Sequence, residues 1–542
     1  MPFSKKPWLV ISFIIPVFLL AFVLYKNLLN IPFGDDIYVM DVFNLFKESG
    51  SWWEKLSVLF GQHNEHRLVV TRAVALLQYW LMGFIDVRIW SILGNLSLLF
   101  MVGLFYQHIG EQKWWIISIA FVIICTASNT LMPMQNSNLF TVVFGLATLH
   151  FVLKKTPKAD FLTFLCTFLS IFSNSGGLAL LIIVSGVLFF QKRYQLLALW
   201  LFYSGIIVVG YYWNYEPLYR HPSSELLFKQ LSRAIIFFIA FAGSIGFKIL
   251  PTGFLFIMLA GIALYRKYYL QNPFVFLVVI YCLMMAGMTT IKRYEYGIES
   301  AITERYRIYS MIFASCSLIM IHDFLSGYSA TIQKTAFGIG LIAAIAVNLK
   351  FFIPMVRETE ARKKLLISKI ENYYLNNSGY NCFEVNILNK ITNNNFYHYQ
   401  LPEPLHDKTF YAGINHFPVK VIKLRINQAY QTGESLIIRG TIINPKPQLT
   451  YLDKIVHQFI ILHPSDTPFD CSQNELTHPQ NAKSVIVNID LNNERMGMEF
   501  PDFFIKLPKK LFREKKYTLS FLFMTDISVN HPPLTSNVTF QL

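Results

Sequence analysis

From the N-terminus to about residue 355 the chain alternates apolar runs with short polar breaks, and beyond about 417 the hydrophobic period changes to two. The apolar runs lie near 8–25, 68–84, 89–108, 114–131, 138–153, 160–173, 177–191, 196–213, 234–249, 251–265, 273–290, 308–323 and 335–354. A straight span needs about 20 apolar residues. The shorter runs are therefore expected as half-helices or interfacial helices. The pattern predicts a polytopic α-helical membrane bundle of about 11–13 hydrophobic helices. The first run follows Lys5-Lys6, and no small-residue cleavage site comes after it. It is expected to be an uncleaved first span that starts in the cytoplasm.

Residues 355–375 look amphipathic and are expected on the membrane surface. The stretch 376–416, rich in Asn and Tyr, reads as a connector. Val419–Ile426, Ser435–Ile443, Ile455–Leu462, Ser484–Leu491, Tyr517–Thr525 and Asn537–Leu542 alternate apolar and polar residues between Pro, Asn and Gly turns. These read as strands, and a C-terminal β-sandwich is the natural architecture for them. Three regions follow: 1–355 a transmembrane domain, 356–416 an amphipathic helix and connector, and 417–542 a soluble β-sandwich domain.

Composition sharpens this picture. Only 15% of the residues are charged and 54% are hydrophobic, against about 25% charged in soluble chains. The net charge is +15, but Lys and Arg cluster between apolar runs. That placement fits membrane topology and anionic lipid, not nucleic acid. Lys154, Lys155 and Lys158 form one basic loop, Lys192-Arg193 a second and Arg266-Lys267 a third. All three are expected in the cytoplasm. If 68–84 does not cross, and one of 234–249 and 251–265 is re-entrant, about eleven spans remain. An odd count puts the C-terminal domain outside. Arg357, Arg362, Lys363 and Lys364, just after the last run, pull the other way. Of six cysteines, Cys125, Cys166, Cys282 and Cys316 lie in apolar runs and are expected to pack. Cys382 and Cys471 lie in the soluble part, where an external location would let them pair. No CxxC or HExxH spacing points to a structural metal.

The chemistry gathers at segment ends. Gly34-Asp35-Asp36 follows the first span. Two carboxylates at a membrane boundary are either a helix cap with a solvated neighbour, or a general base or divalent-cation ligand. Asp41 is a third carboxylate. Gln62-His63-Asn64-Glu65-His66-Arg67 is a run of six hydrogen-bonding residues. It is either a polar collar or a site for a phosphorylated, hydroxyl-rich ligand. In the second case Arg67 and Arg72 would bind phosphate, and Glu65 with the histidines would bind hydroxyls. Ser128-Asn129-Thr130 and Gln135-Asn136-Ser137-Asn138 precede one span, and Ser173-Asn174-Ser175-Gly176-Gly177 splits two short helices as a broken helix would. Lys292-Arg293-Tyr294-Glu295 leads to Glu304-Arg305-Tyr306-Arg307. Together these supply cations and amides for a phosphate leaving group.

On these features the layout resembles the membrane-embedded sugar transferases of the GT-C superfamily. That group includes protein O-mannosyltransferases, lipid A aminoarabinose transferases and oligosaccharyltransferases. The resemblance covers about 1–325 and rests on Gly34-Asp35-Asp36, the helix opening near His66-Arg67, Arg305-Tyr306, and the C-terminal β domain. The Asn64-Glu65-His66-Arg67 and Ser173–Leu178 stretches look more like uncharacterised bacterial members. The resemblance implies an inverting glycosyltransferase in the bacterial cytoplasmic (inner) membrane, with its C-terminal domain external. It implies transfer of a sugar from a polyprenyl-phosphate donor to a cell-envelope glycan or lipid acceptor. Asp35 or Asp36 would be the general base. Glu65, His66, Arg67, Lys292, Arg305 and Tyr306 would bind the donor. A divalent cation, Mg2+ or Mn2+, would sit at Asp35 and Asp36 if the reaction needs one. Mannosyltransferases carry Asp-Glu where this chain has Asp35-Asp36. Two alternatives stay open: a transporter or flippase of lipid-linked glycans, and an O-antigen polymerase or ligase. A transporter needs polar residues at the midplane of several helices, whereas here they sit mostly at segment ends.

Overall fold

The computed structural model describes residues 7–109, 133–216, 230–376 and 382–399, and seven strands between 423 and 541. The apolar runs within these residues are helices. In chain order they are α1 (Pro7–Asn27), α2 (Asp35–Glu48), α3 (Trp52–Phe60), α4 (Val69–Met82), α5 (Val87–Ile109), α6 (Asn136–Val152), α7 (Pro157–Ile171), α8 (Ala179–Phe190), α9 (Tyr194–Tyr212), α10 (Leu231–Ala242), α11 (Ile249–Tyr265), α12 (Pro273–Arg293), α13 (Gly297–Ala301), α14 (Glu304–Leu325), α15 (Ala330–Asn376) and α16 (Cys382–Asn393). Among the described residues, 5 helical stretches are long and apolar enough to cross a bilayer: α5, α9, α12 with α13, α14 and the first part of α15. This is the pattern of a multi-pass membrane protein.

Local chemistry sets the helix ends. The Thr156 hydroxyl accepts the Ala159 N–H, and Pro157 opens α7. Asn272 accepts the Val275 N–H, and Pro273 opens α12. A side-chain cap followed by proline satisfies one free N–H and needs no other at that position. α4 ends at Gly83, whose φ of 77° closes the last turn.

The bundle has two chemically distinct ends. At one, Arg193 pairs with Asp160 at 2.5 Å, joining the second basic loop to the first. His108 Nε2 and His150 Nδ1 are 2.7 Å apart, and the His108 ring stacks on Phe274 at 3.9 Å. These contacts bring the start of α12 beside the ends of α5 and α6. All three basic loops therefore lie at this end. The polar clusters lie at the other, where Thr71 donates to Asn136 and Asn174 donates to Asn138.

α10 has 12 residues, about 18 Å of helix, too short to cross. Its Phe241 ring packs on Tyr306 and Tyr309, and the Ala242 carbonyl accepts the Ser310 hydroxyl at 2.6 Å. α10 thus stays at the polar end, and α11 carries the chain to Arg266. One member of that pair was expected to be re-entrant; residues 217–229, which lead into α10, lie outside the described residues. The turn between α10 and α11 is tight: a Cβ on Gly253 would run into the Ile239 carbonyl, and one on Gly243 into the Ile249 carbonyl.

Two features depart from the periodicity. α15 runs unbroken for 47 residues through Pro354, about 70 Å, where a break near 355 was expected. A helix-interior proline removes one hydrogen bond and kinks the helix. The Arg, Glu, Ala, Lys and Leu that follow are strong helix formers and carry it on. The connector also contains a helix, α16, which buries Ile387, Leu388 and Ile391.

The chain packs as two compact units. One comprises 1–28 and 39–357, the other 29–38 and 358–542. Residues 29–38 thus group with the C-terminal unit, not with the bundle. Within that unit the Tyr397 hydroxyl donates to the Asn30 carbonyl at 2.5 Å, and Lys369 lies over the Phe33 ring at 4.8 Å. Tyr373 donates to Asn389 at 2.9 Å, beside buried Ile367 and Ile370. Beyond residue 422 the described strands form two antiparallel sheets: β3 (Lys423–Thr432), β4 (Ser435–Ile443) and β7 (Asp502–Pro508) in the order β3-β4-β7; and β5 (Ile455–Pro464), β6 (Val485–Asn488), β8 (Lys516–Thr525) and β9 (Leu534–Gln541) in the order β6-β5-β8-β9. Each of the six expected strands overlaps one of these. β7, short and bounded by Pro501 and Pro508, was not expected.

Cys166, Cys282 and Cys316 are buried free thiols. The apolar run 114–131, with Cys125 and Ser128-Asn129-Thr130, lies outside the described residues, as do Cys471 and 400–416.

Candidate functional site

The polar run 62–67 folds into a small antiparallel hairpin, β1 (Gln62–His63) and β2 (His66–Arg67). Asn64 takes a left-handed φ of 49° at its turn, a conformation that Asn tolerates better than most residues. Two side chains fasten the hairpin. Arg67 spends its guanidinium on backbone, with Nε donating to Tyr211 O at 2.5 Å, Nη1 to Phe60 O and Nη2 to Trp213 O. Gln62 donates to Glu216 O at 2.6 Å and accepts the Glu216 N–H at 2.9 Å. The hairpin is thereby laced to the chain that leaves α9. Arg72 Nη1 donates to the carbonyls of Val58, Leu59 and Gly61 and closes the C-terminus of α3. A cation there also faces the negative end of the helix dipole.

What the hairpin presents is Glu65 and His66. The Glu65 carboxylate is 3.5 Å from Arg293 Nη2, and both side chains are mostly buried. Its charge is also felt by Lys292. His66 Nδ1 is 3.0 Å from Ser175 Oγ. Ser175 opens a short 3-10 turn, Ser175–Leu178, at the break between α7 and α8. Asn174 caps that turn by accepting the Gly176 N–H at 3.2 Å, and its amide donates to Asn138 at 3.0 Å. Gly177 is needed there, because a Cβ would overlap the Ser170–Ile171 backbone.

Three cations surround the imidazole. Burial first, then Lys292, Arg293, His63 and Arg305 in that order, push the His66 pKa down to about 3. The ring is therefore neutral at physiological pH. Arg305 is exposed, and its guanidinium lies over the Tyr306 ring at 5.1 Å. Tyr306 packs in turn on Phe241. Among the described residues, neither the Lys292 ammonium nor the Arg305 guanidinium has a hydrogen-bond partner. Lys292, Arg293 and Arg305 against Glu65 leave an excess of positive charge around His66. A mostly buried cluster of this kind attracts an anion.

The structure therefore brings together Glu65, His66, Lys292 and Arg305, with Tyr306 beneath Arg305. It turns Arg67 and Arg72 to backbone carbonyls instead. Arg293 and Ser175 join the cluster; both lay in runs visible in the sequence, but nothing marked either above its neighbours.

Asp35 and Asp36 belong to the second unit. They open α2, and Gly34 before them has φ 55°. Asp35 is exposed, whereas Asp36 is 2% exposed and accepts the Phe33 N–H at 3.1 Å. Asp36 thereby ties the first turn of α2 back to Phe33, and Asp35 beside it is exposed. Asp41 accepts from Asn44 at 3.0 Å. No group of three or more His, Cys, Asp or Glu side chains converges among the described residues. Mg2+ is commonly held by one or two carboxylates together with waters and substrate phosphates. Asp35 and Asp36 meet that minimum only with a phosphate ligand in place.

No family model, curated protein or solved structure matches the chain.

Proposed function

We propose that this protein is an inverting membrane glycosyltransferase of GT-C type. It moves a sugar from a polyprenyl-phosphate donor to a cell-envelope glycan or lipid acceptor, on the external face of a bacterial inner membrane. The observation that carries this reading is the convergence of Lys292, Arg293 and Arg305 on Glu65 and His66 at the end of the bundle away from the basic loops. A lipid phosphate enters such a site from the bilayer with its charge at the headgroup level. The cations hold the phosphate and stabilise the charge that grows on it as the glycosidic bond breaks. Arg305 adds a planar fork suited to two phosphate oxygens. Glu65 accepts hydrogen bonds from sugar hydroxyls. Asp35 or Asp36 draws the proton from the acceptor hydroxyl. That hydroxyl attacks the anomeric carbon opposite the phosphate, through an oxocarbenium-like transition state. The C-terminal sheets are read as an external β-sandwich that holds the acceptor.

The enzyme reading is preferred to transport because the candidate ligand-binding groups lie at helix ends, while several hydroxyls inside the bundle bond within their own helices. Thr141, Thr163, Thr167 and Ser315 each bond a carbonyl of their own helix. The cations gathered round His66 sit at the polar end of the bundle.

The test is release of polyprenyl phosphate from a purified donor by the full chain in detergent. Arg305→Lys keeps the charge and loses the fork, so turnover is expected to fall by about one to two decades, the equivalent of roughly 1.5–3 kcal/mol. In the same assay, replacing the catalytic carboxylate in Asp35→Asn or Asp36→Asn should cost about 10²–10⁴ in rate. Unchanged cleavage in Arg305→Lys removes that residue from the mechanism. A wild type that cleaves no donor, whatever the acceptor, favours a flippase, which breaks no covalent bond.

A further inference from the structure

We propose that His66 is the site's proton acceptor, taking up a proton as the bound phosphate gains charge, with Ser175 positioning its ring. This rests on the phosphate-site reading above and goes beyond it by naming where the proton goes.

The geometry supplies two conditions. First, Nδ1 is fixed by Ser175 Oγ at 3.0 Å, so Nε2 is the nitrogen left to exchange a proton. A serine hydroxyl serves both states of the ring. It accepts from Nδ1–H in the neutral imidazole and in the imidazolium alike, which leaves Nε2 bare to take a proton. Second, the groups facing the ring are Lys292 and Arg293 of α12, Arg305 of α14, and His63 and Glu65 of its own hairpin. Three fixed cations against one carboxylate oppose a fourth positive charge. A dianion among them removes that opposition.

The reaction supplies the dianion. A polyprenyl-phosphate sugar is a phosphodiester with one negative charge. The leaving group is a phosphate monoester, which carries a second charge with a pKa of about 6. As the acceptor oxygen bonds to the anomeric carbon, the bond from that carbon to the phosphate oxygen breaks, and its electron pair stays on the phosphate. The proton drawn from the acceptor's hydroxyl ends on His66 Nε2. The site gains one negative and one positive charge together, so its net charge does not change. The neutral ring of the resting site, held down to about pKa 3 by burial and the cations, becomes basic when the product charge forms.

The experiment is titration calorimetry of the full chain in detergent with sodium sulfate as probe, in two buffers of different ionisation enthalpy. Sulfate carries two charges and does not itself titrate near neutrality. At about pH 5.5 the wild type should take up a few tenths of a proton or more per sulfate bound. Uptake should vanish in His66→Gln, persist in His63→Gln, and shift to lower pH in Ser175→Ala. Sulfate that binds the wild type without proton uptake overturns the proposal even if His66→Gln does not fold. Uptake that survives in His66→Gln overturns it as well. In both cases the phosphate site stands. Failure of the wild type to bind either sulfate or polyprenyl phosphate overturns the phosphate site, and this proposal with it.

Discussion

Arg67 shows how the residue scale can mislead. A cation beside two histidines and a glutamate reads as a phosphate ligand, yet its three nitrogens donate to Tyr211, Phe60 and Trp213 carbonyls. Its role is to hold Glu65 and His66 in place. Lysine has one ammonium on a flexible stem and cannot span three carbonyls. Arg67→Lys should therefore lower the thermal midpoint in detergent, since each charged hydrogen bond lost is worth about 1.5–3 kcal/mol. Arg305→Lys, which gives up only its seat over Tyr306, should unfold close to the wild type. An Arg67→Lys protein with unchanged midpoint and weakened donor binding would return the phosphate role to Arg67. Asp36 makes a related point: a carboxylate visible in the sequence as chemistry is tied to the Phe33 N–H at the opening of a helix.

At the scale of elements, the helices were legible wherever apolar residues persisted for most of a span; the start at Thr156-Pro157 was not, because Lys158 and Asp160 interrupt the apolar run there. The hairpin at 62–67 was not, because strands of two residues show no period. α16 was hidden because Ile387, Leu388 and Ile391 sit in an Asn-rich stretch that reads as loop. The α10–α11 turn was legible only as a problem of span counting; its cause is the close approach of two glycines. Gly253→Ala pushes a methyl into the Ile239 carbonyl, and overpacking of this kind costs about 1–3 kcal/mol. Gly261→Ala, on the same helix with open space at its Cβ, should be neutral or stabilising by up to about 1 kcal/mol. Thermal unfolding of the two variants checks the contrast. Equal midpoints would mean that α10 and α11 do not pack as described.

Across the whole molecule, basic residues gather at both ends of the bundle for different reasons. Lys154, Lys155, Lys158, Lys192 and Arg193 stand in short loops between apolar helices, the placement that the positive-inside rule describes. Lys292, Arg293 and Arg305 crowd round one imidazole. Composition cannot separate the two sets. What separates them is folding that brings Glu65 within reach of Arg293, 228 positions away, and His66 within reach of Ser175, 109 positions away. The individual polar runs were readable; their convergence was not. If the cationic end faces outward, Gly50→Cys and Ser435→Cys should react with an impermeant maleimide in intact spheroplasts, while Lys158→Cys should not. Protection of either of the first two, or labelling of the third, would reverse the assigned topology or detach the C-terminal unit from the external side.

Arg67 also decides what the neighbouring chain is free to become. A side chain that recognises carbonyl oxygens is indifferent to the residue types that supply them. Trp213, 66% exposed, gives Arg67 its carbonyl and nothing more. Substitutions at 213 should be silent in a mutational scan. A one-residue deletion between Tyr212 and Glu216 should not, because it moves both the Trp213 carbonyl and the Gln62 anchor. Diverging copies of this protein can thus rewrite that turn letter by letter while keeping its length, and the hairpin will still hold Glu65 and His66 in place.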